Sequence, residues 1–354
     1  MIQLPWMSKF GVTKISRRKL LGGAAATASV PLLHELVPHR GLHDALASAG
    51  HRASGHPEGE TRGSGHLGTV GSVDPRVNGF DPQQMLRDFD EGRVRRLAGR
   101  TVREWELVAE DKEIEVAPGV RFAAWTYNGR VPGPTLRARE GEHLRVRFVN
   151  GSRHPHTIHF HGIHRALHDG VPGVGAGNIE PGRSTVYEFD AEPFGLHHYH
   201  CHSTPLASHI AKGLYGMFIV DPRRSRPKAD ELVMVMNGFD TNFDRSNEVY
   251  AVNTVAFAYL DRPVRVNRGE LVRIYLLNIL EFDLVNSFHI HANFFQVFPT
   301  GTSLEPTELT DTIVQGQGQR AILELRFPYT GKYMFHAHVS EFAELGWMGF
   351  FEVV

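Results

Sequence analysis

The chain has 354 residues, enough for two domains of ordinary size, and its formal net charge is −1. A charge so near zero gives no electrostatic basis for a nucleic-acid or membrane-surface partner. Because Cys201 is the only cysteine, an intrachain disulfide is excluded, and the 22 histidines are the unusual feature of the composition.

The N-terminal segment, residues 1–47, is predicted to be an export signal. Residues 16–21 (Ser-Arg-Arg-Lys-Leu-Leu) resemble a twin-arginine motif, and residues 20–33 form a weakly apolar run. This run contains Pro31 and is too short to span a bilayer, so we expect no membrane anchor. Residues 45–47 (Ala-Leu-Ala) fit a cleavage site. We therefore expect a periplasmic or secreted protein, and a disordered basic tail is the alternative.

Residues 48–80 are predicted to be a flexible linker, because most of this segment is rich in Gly, Ser and His and poor in large apolar residues. A short helix is expected within residues 82–100. From residue 101 onward, short β-type runs alternate with Gly and Pro, at 121–127, 144–149, 185–189 and 217–220. Short strands separated by turn residues predict an all-β fold of the sandwich or barrel type.

The chain contains an internal repeat. Residues 141–150 resemble residues 269–278, and the His-x-His pairs at 159/161 and 200/202 recur at 289/291 and 336/338. The spacing between matched positions grows slightly along the chain, as expected when duplicated domains differ by small loop insertions. We therefore predict one domain over residues 81–225 and a second over 226–354, with the boundary in the Pro- and Arg-rich residues 222–229.

The four His-x-His pairs favour metal binding. On a β-strand, residues i and i+2 point to the same face, so both imidazoles of a pair can bind metal together. One pair alone is weak evidence, since packed or solvated histidines produce it often, but four pairs that follow a duplication are specific. The eight histidines are His159, His161, His200, His202, His289, His291, His336 and His338.

Cys201 adds a sulfur ligand. On a strand, the imidazoles of His200 and His202 point one way and the sulfur points the other, so this tripeptide would join two metal sites. His156 and His209 lie nearby in the sequence. Two imidazoles and a thiolate are the trigonal ligand set of a blue-copper centre. Zinc is the alternative, but its structural sites take four ligands and usually more cysteines.

These motifs resemble those of two-domain multicopper oxidases, the laccase-like family of duplicated cupredoxin domains. Residues 155–162 resemble the family's His-Pro-x-His-x-His-Gly motif, and residues 200–214 resemble its His-Cys-His…His-x-x-x-Gly-(Met/Leu) motif. The spacing from Cys201 to His209 is longer than is usual in three-domain laccases. The resemblance covers residues 100–354, roughly, and implies two cupredoxin-like Greek-key β-sandwich domains.

The resemblance implies one type 1, one type 2 and two type 3 coppers per functional unit. His156, Cys201 and His209 would hold type 1 copper, with Leu214 in the axial place and Met217 in the following strand. Leucine cannot coordinate, so the potential of this copper should be high, because the axial ligand tunes it. The type 2 ion would be bound by His159 and His289, and the type 3 pair by His161, His200, His202, His291, His336 and His338.

The second repeat lacks the type 1 ligands. All four matching places hold residues that do not bind copper, while the paired histidines remain. This difference predicts a single type 1 site, in the first domain only. The residues in the four places are Asn286, Ala337, Phe342 and Trp347.

The resemblance implies oxidation of phenols or similar small donors, coupled to the four-electron reduction of O2 to water. Electrons would enter at the edge of His209 or His156 and cross Cys201 to its neighbouring histidines. In the family, a first and a second domain from neighbouring chains share the three-copper cluster, so a homotrimer is expected.

Asp169 matches an acidic position near the cluster in the family. It is predicted to donate protons or to orient a bound water, with Glu341 and Glu344 as weaker candidates. A turn aspartate before Gly170 is the alternative. Five further histidines near the ligands are assigned no copper; they are His154, His164, His168, His197 and His198.

Two other functions stay open. Copper nitrite reductases also have two domains and a type 1 copper in the first, but they carry an aspartate in the place of His159 and no histidine in the place of His202. The comparison therefore favours the oxidase. A copper-storage or electron-carrier protein would bind copper without consuming O2.

Overall fold

The computed structural model describes residues 71–354. The predicted signal segment and most of the predicted linker lie outside the described residues. Among the residues that are described, no helix has the length and apolar character needed to cross a membrane.

Short strands dominate the described part of the chain. Strands β1 to β10 are Phe89–Asp90, Arg93–Leu97, Arg100–Ala117, Val120–Tyr127, Thr135–Arg139, His143–Asn150, His159–Phe160, Ser184–Asp190, Gly195–His200 and Tyr215–Asp221. Strands β11 to β21 are Asp230–Phe239, Val249–Val252, Val264–Val266, Leu271–Asn278, Val285–Ile290, Phe295–Pro299, Glu308–Thr310, Thr312–Gly316, Arg320–Arg326, Gly331–His336 and Met348–Val353. Helices α1 to α5 are Pro75–Asn78, Pro82–Met85, Leu206–Ala211, Ala258–Asp261 and Ser340–Glu344, and a 3-10 helix spans Ala166–His168.

Each half of the chain forms a sandwich of two sheets. In the first half the sheet orders are β1-β5-β10-β9-β7 and β2-β3-β6-β8, with β4 paired to β3; in the second half they are β12-β11-β14-β19-β16-β17 and β13-β21-β20-β15-β18. One apolar core lies in each half, and side chains from both of its sheets contribute to it. The all-β, cupredoxin-like prediction is therefore confirmed, and the four predicted runs lie in β4, β6, β8 and β10.

A third apolar core joins the two halves, with residues of β4, β10, β11 and β14 among its members. At the same junction, strand β9 is held by the second half. The Leu196 N–H donates to the Thr300 carbonyl at 2.7 Å, and the Arg320 guanidinium donates to the Leu196 carbonyl at 2.8 Å. Since β9 leads directly into Cys201, the second half positions the strand on which the candidate ligands lie.

The segment before the first sandwich differs from its prediction. The linker prediction over 48–80 fails for residues 75–80, because α1 packs there and Asn78 is buried, with two side-chain hydrogen bonds to the backbone of Glu115. Only Pro82–Met85 of the region 82–100 is helical, and β1 and β2 follow. Leu86 packs in the core of the second half, and Arg87 pairs with Asp230 at 2.8 Å, so these residues of the predicted first domain contact the second sandwich.

Candidate metal centre

Three side chains, His156, Cys201 and His209, meet in the first half of the chain. The Cys201 sulfur lies 3.2 Å from His209 Nδ1 and 3.8 Å from His156 Nδ1, and the two Nδ1 atoms are 3.1 Å apart. All three side chains are buried. Burial lowers the pKa of His156 to about 3 and that of His209 to about 4, and it raises the pKa of the Cys201 thiol. Two neutral imidazoles and one sulfur that converge in a buried site fit copper.

A short helix and a glycine turn place this group. Helix α3 carries His209, and the chain enters β10 through Gly213, whose φ is +110°. A Cβ atom at this position would lie 2.5 Å from Val131 Cγ2, so the turn requires glycine. The turn brings Leu214 beside Cys201, whose N–H donates to the Leu214 carbonyl at 2.9 Å.

Leu214 and Met217 face different cores. Leu214 is fully buried in the same apolar cluster as Cys201. Met217 lies on β10, opposite His198 of β9, and packs in the core that joins the two halves. Met217 is therefore a strand residue that packs away from the core shared by Leu214 and Cys201.

A series of hydrogen bonds connects His156 with Ser152 and Asp111. His156 Nε2 lies 3.0 Å from Ser152 Oγ, which donates to the Asp111 carboxylate at 2.8 Å. Ser152 therefore accepts from Nε2–H, and this hydrogen bond leaves Nδ1 as the nitrogen that is free to bind a metal.

The sulfur and His209 have different surroundings. The Thr157 N–H lies 3.3 Å from the Cys201 sulfur, where it can donate to a thiolate. His209 Nε2 forms no hydrogen bond with any residue in 71–354. Although the residue as a whole is buried, this nitrogen keeps a small solvent-accessible area. The edge of His209 is therefore the edge of this group that reaches solvent.

Four histidines of the first half adjoin this group. His159 pairs with His200 across β7 and β9, and the Nε2 atoms of His161 and His200 are 2.9 Å apart. The ring of His202 stacks on that of His200, with centroids 5.8 Å apart. Burial lowers the pKa of His161 to about 2 and that of His200 to about 4, which keeps both rings in the neutral form that binds metal.

The second half repeats this arrangement. His289 pairs with His336 across β15 and β20, and the Nε2 atoms of His291 and His336 are 3.1 Å apart. The His338 N–H donates to Ser287 Oγ at 2.7 Å. His291 and His338 are exposed. Within residues 71–354, the ligand atoms of the two halves form separate groups, so neither set is completed by the other half of the same chain.

Asp169 contacts His159 through its backbone and its side chain. The Asp169 carbonyl oxygen lies 2.8 Å from His159 Nδ1, and Oδ1 lies 3.0 Å from the same nitrogen and 3.5 Å from His164 Nε2. These contacts direct His159 Nε2 away from Asp169 and leave it free to bind. Glu341 and Glu344 are exposed on α5, and neither forms a hydrogen bond or ion pair with a paired histidine in the described residues.

Sequence reasoning left His198 unassigned and did not find Arg320. His198 is fully buried and stacks on His161 with ring centroids 3.6 Å apart, and neither of its ring nitrogens has a partner in residues 71–354. Burial, the neighbouring imidazoles and the charge of Arg320 keep the pKa of His198 well below its usual value. Arg320 lies in the second half and donates to the Leu196 carbonyl, two residues before His198. No short sequence motif indicates this contact.

The matching place in the second half is filled by side chains that cannot form such a group. Asn286, Ala337 and Trp347 are fully buried, and Phe342 stacks on Tyr250 with centroids 4.1 Å apart. Among the described residues, the group of two histidines and a cysteine therefore occurs once, in the first half.

Comparisons with known proteins agree with this geometry. Sequence profiles of the multicopper oxidase family match residues 108–225 and 226–354. A crystal structure described as a multicopper oxidase is 64% identical, with a TM-score of 0.79, and the match covers 80% of this chain and 100% of that chain. Blue copper oxidase from Nitrosomonas europaea is 30% identical, with a TM-score of 0.64, over 71% of this chain and 86% of that chain.

Another relative is named as a nitrite reductase and not as an oxidase. Copper-containing nitrite reductase from Neisseria gonorrhoeae is 33% identical over 249 residues, which are 64% of this chain and 62% of the relative. The chain therefore spans just under two thirds of the length of this relative. Because proteins named as oxidases and as reductases both match, similarity alone does not decide the reaction.

Proposed function

The chain belongs to the multicopper oxidase family, and from this premise we propose that it is a laccase-like oxidase of phenols or similar small donors. Each donor would lose one electron and one proton, and O2 would take up four electrons and four protons to give two molecules of water. The observation that carries the proposal is the pair of matching four-histidine sets, one of which adjoins the buried group of His156, Cys201 and His209.

Different residues of the chain would bind the different copper ions. His156, Cys201 and His209 would hold type 1 copper, and the eight paired histidines would hold one type 2 and two type 3 ions. Bound copper supplies one-electron redox chemistry. Cys201 belongs to the first group through its sulfur, and its backbone is continuous with His200 and His202 of the second, so covalent bonds join donor oxidation to O2 reduction.

We further propose that the active form is a homotrimer in which neighbouring chains share each cluster. The support is that the two histidine sets form separate groups in one chain and that His291 and His338 are exposed. A head-to-tail contact between first and second halves would close into a ring. Twin-arginine export to the periplasm or beyond is proposed from residues 1–47 alone.

The reaction is tested by loading the protein with copper and measuring copper content, optical and paramagnetic spectra, and O2 uptake on a neutral phenol. An oxidase binds about four coppers per chain, as the ligand count requires, is blue, and consumes O2. A blue protein that holds one or two coppers, reduces nitrite and ignores O2 would be a nitrite reductase. Copper binding with neither reaction would indicate storage or electron transfer, and either outcome rejects the proposal.

The shared cluster is tested by complementation. One variant combines His161→Ala with His200→Ala, and the other combines His291→Ala with His336→Ala. Each alone should be inactive. When they are mixed and allowed to exchange chains, roughly one quarter of random interfaces pair two intact sets, so O2 uptake should return. If activity stays absent while mixed trimers are detected by mass, the shared-cluster proposal fails.

A further inference from the structure

The loop between β11 and β12 exposes an aromatic side chain in an unfavourable backbone conformation. Phe243 is 57% exposed, and its φ is +65°. A bulky residue with positive φ is uncommon and persists where its surroundings impose it. Because an exposed phenylalanine gains little from burial, packing alone does not account for it.

Two carboxylates hold the loop in this shape. Asp240 accepts from the N–H groups of Asp244 and Arg245 at 3.0 and 2.8 Å. Glu248 accepts from the N–H and the hydroxyl of Thr241 at 2.6 and 2.8 Å. Asp240 and Glu248 thus accept hydrogen bonds from the backbone and side chains of the same loop, and these bonds fix the backbone on both sides of Phe243.

Phe243 is linked to the type 1 group through two residues of the first half, Lys212 and Trp125. The Lys212 ammonium is 4.4 Å from the centre of the Phe243 ring and 5.3 Å from the centre of the Trp125 ring. Trp125 in turn packs against His209, with ring centroids 4.7 Å apart. A continuous series of contacts, from Phe243 to Lys212 to Trp125, therefore connects this loop of the second half with His209.

The Lys212 ammonium has capacity for a ligand. It donates to the Ala123 carbonyl at 2.9 Å, which leaves two of its three N–H donors. Burial lowers the pKa of Lys212, and the charges of Asp111 and Asp240 act in the opposite direction. Asp111 pairs instead with Arg153 at 3.8 Å, and within residues 71–354 no carboxylate forms an ion pair with the Lys212 ammonium.

We propose that Phe243, Trp125 and Lys212 form the docking surface for the reducing substrate, and that its preferred substrates are phenols with a carboxylate substituent. The inference rests on the proposed oxidase function and deepens it. An aromatic donor would lie on the exposed ring of Phe243, and its carboxylate would pair with Lys212. The phenol would lose one electron toward His209 and its hydroxyl proton to water.

Phe243→Ala tests the aromatic contact. The variant is compared with wild type on 2,6-dimethoxyphenol and on ferrocyanide, which has no aromatic ring. The ratio of kcat/KM for the phenol to that for ferrocyanide should fall about fivefold, the loss expected for one aromatic contact. Tyr329→Ala, which removes an aromatic ring that is 73% exposed, is the matched control and should leave the ratio unchanged. An unchanged ratio in Phe243→Ala overturns the aromatic contact.

Lys212→Met tests the charge. KM for 4-hydroxy-3,5-dimethoxybenzoate should rise two- to fivefold relative to KM for the neutral 2,6-dimethoxyphenol, as expected for the loss of one ion pair near the surface. Equal changes for both phenols would overturn the carboxylate preference. The blue absorption of each variant shows whether the copper group itself is intact.

These tests separate the docking surface from the reaction. If wild type oxidises ferrocyanide with O2 but no phenol, the docking proposal fails while the oxidase survives. If wild type consumes no O2 with either donor, the proposed function itself fails.

Discussion

His159 and His289 hold equivalent positions in the two halves, and each directs Nδ1 to a backbone carbonyl, that of Asp169 at 2.8 Å and that of Asp311 at 3.0 Å. A hydrogen bond from Nδ1–H selects one tautomer and leaves Nε2 as the metal-binding nitrogen. Side-chain oxygens also lie near these nitrogens, Asp169 Oδ1 at 3.0 Å and Thr312 Oγ1 at 2.8 Å. Because the shorter contact of His159 is with the main-chain carbonyl, substitution of the Asp169 side chain should leave that hydrogen bond in place. The orientation of His159 and the chemistry of the carboxylate can therefore be separated by mutation.

Asp169→Asn should keep copper and lose turnover. The carbonyl still orients His159, so copper content and the blue absorption should equal those of wild type. The variant lacks a carboxyl group that can donate a proton beside His159, and O2 uptake should fall roughly 100-fold or more. Asp311→Asn is the matched control, because its carbonyl has the same role in the second half. Loss of copper in Asp169→Asn would show that the side chain, and not the carbonyl, holds His159.

Cys201→Ser should abolish the blue absorption and the oxidation of donors, because the thiolate is the only sulfur among the candidate ligands. The type 2 paramagnetic signal should remain, since the eight paired histidines are unchanged. Met217→Leu is the control, because Met217 packs in the core between the halves and should not alter the spectrum. A change in the blue band of Met217→Leu would contradict the placement of Met217 away from copper.

Leu214→Met should lower the reduction potential of the blue copper. Leu214 lies beside Cys201, and a methionine there would add a weak axial thioether. The exchange conserves volume, so the free energy of unfolding should change by less than about 1.5 kcal/mol. Redox titration followed at the blue band measures the shift. An unchanged potential would mean that the side chain at residue 214 does not face the copper.

Local patterns predicted which histidines come together, because these contacts depend on short spacings in the sequence. His159 lies on β7 and His161 in the turn that follows it, and their rings still come together, with centroids 4.8 Å apart. The repeat identified Asn286 as the counterpart of His156. Arg320 could not be found in this way, because it lies 124 residues from Leu196, the residue it contacts.

The linker error has the same origin. Residues 75–80 have a loop-like composition, yet Asn78 finds two hydrogen-bond partners at Glu115. A partner so distant in the sequence leaves no trace in local composition, and neither does the approach of Phe243 to Lys212.

The copper-free chain should lose stability as the pH falls from about 6.5 to about 4. Burial holds the pKa of His156 at about 3 and that of His209 at about 4, below the value near 6.5 in an unfolded chain. The unfolded state therefore binds more protons in this window, and the free energy of unfolding decreases as the pH drops through it. The loss should be on the order of 2 kcal/mol per histidine between pH 7.5 and 4.5, measured by urea unfolding.

The double variant His156→Gln, His209→Gln should show a shallower dependence on pH, since it lacks both buried imidazoles. Equal slopes for wild type and the double variant would rule out these two histidines as the source.

Trp347→Leu should destabilise the second half without reducing the blue absorption of the type 1 group in the first half. Trp347 is fully buried in the core of the second half, edge-on to Phe288 and Phe335 at centroid distances of 5.8 and 6.1 Å. Leucine would leave a cavity and lower the free energy of unfolding by about 3 kcal/mol. The blue absorption at 25 °C should not change, because the type 1 group lies in the other sandwich. Loss of the blue band in a folded variant would contradict this expectation. It would mean that the core of the second half affects the position of Cys201, and the contacts of Arg320 and Thr300 with Leu196 of β9 would connect the two.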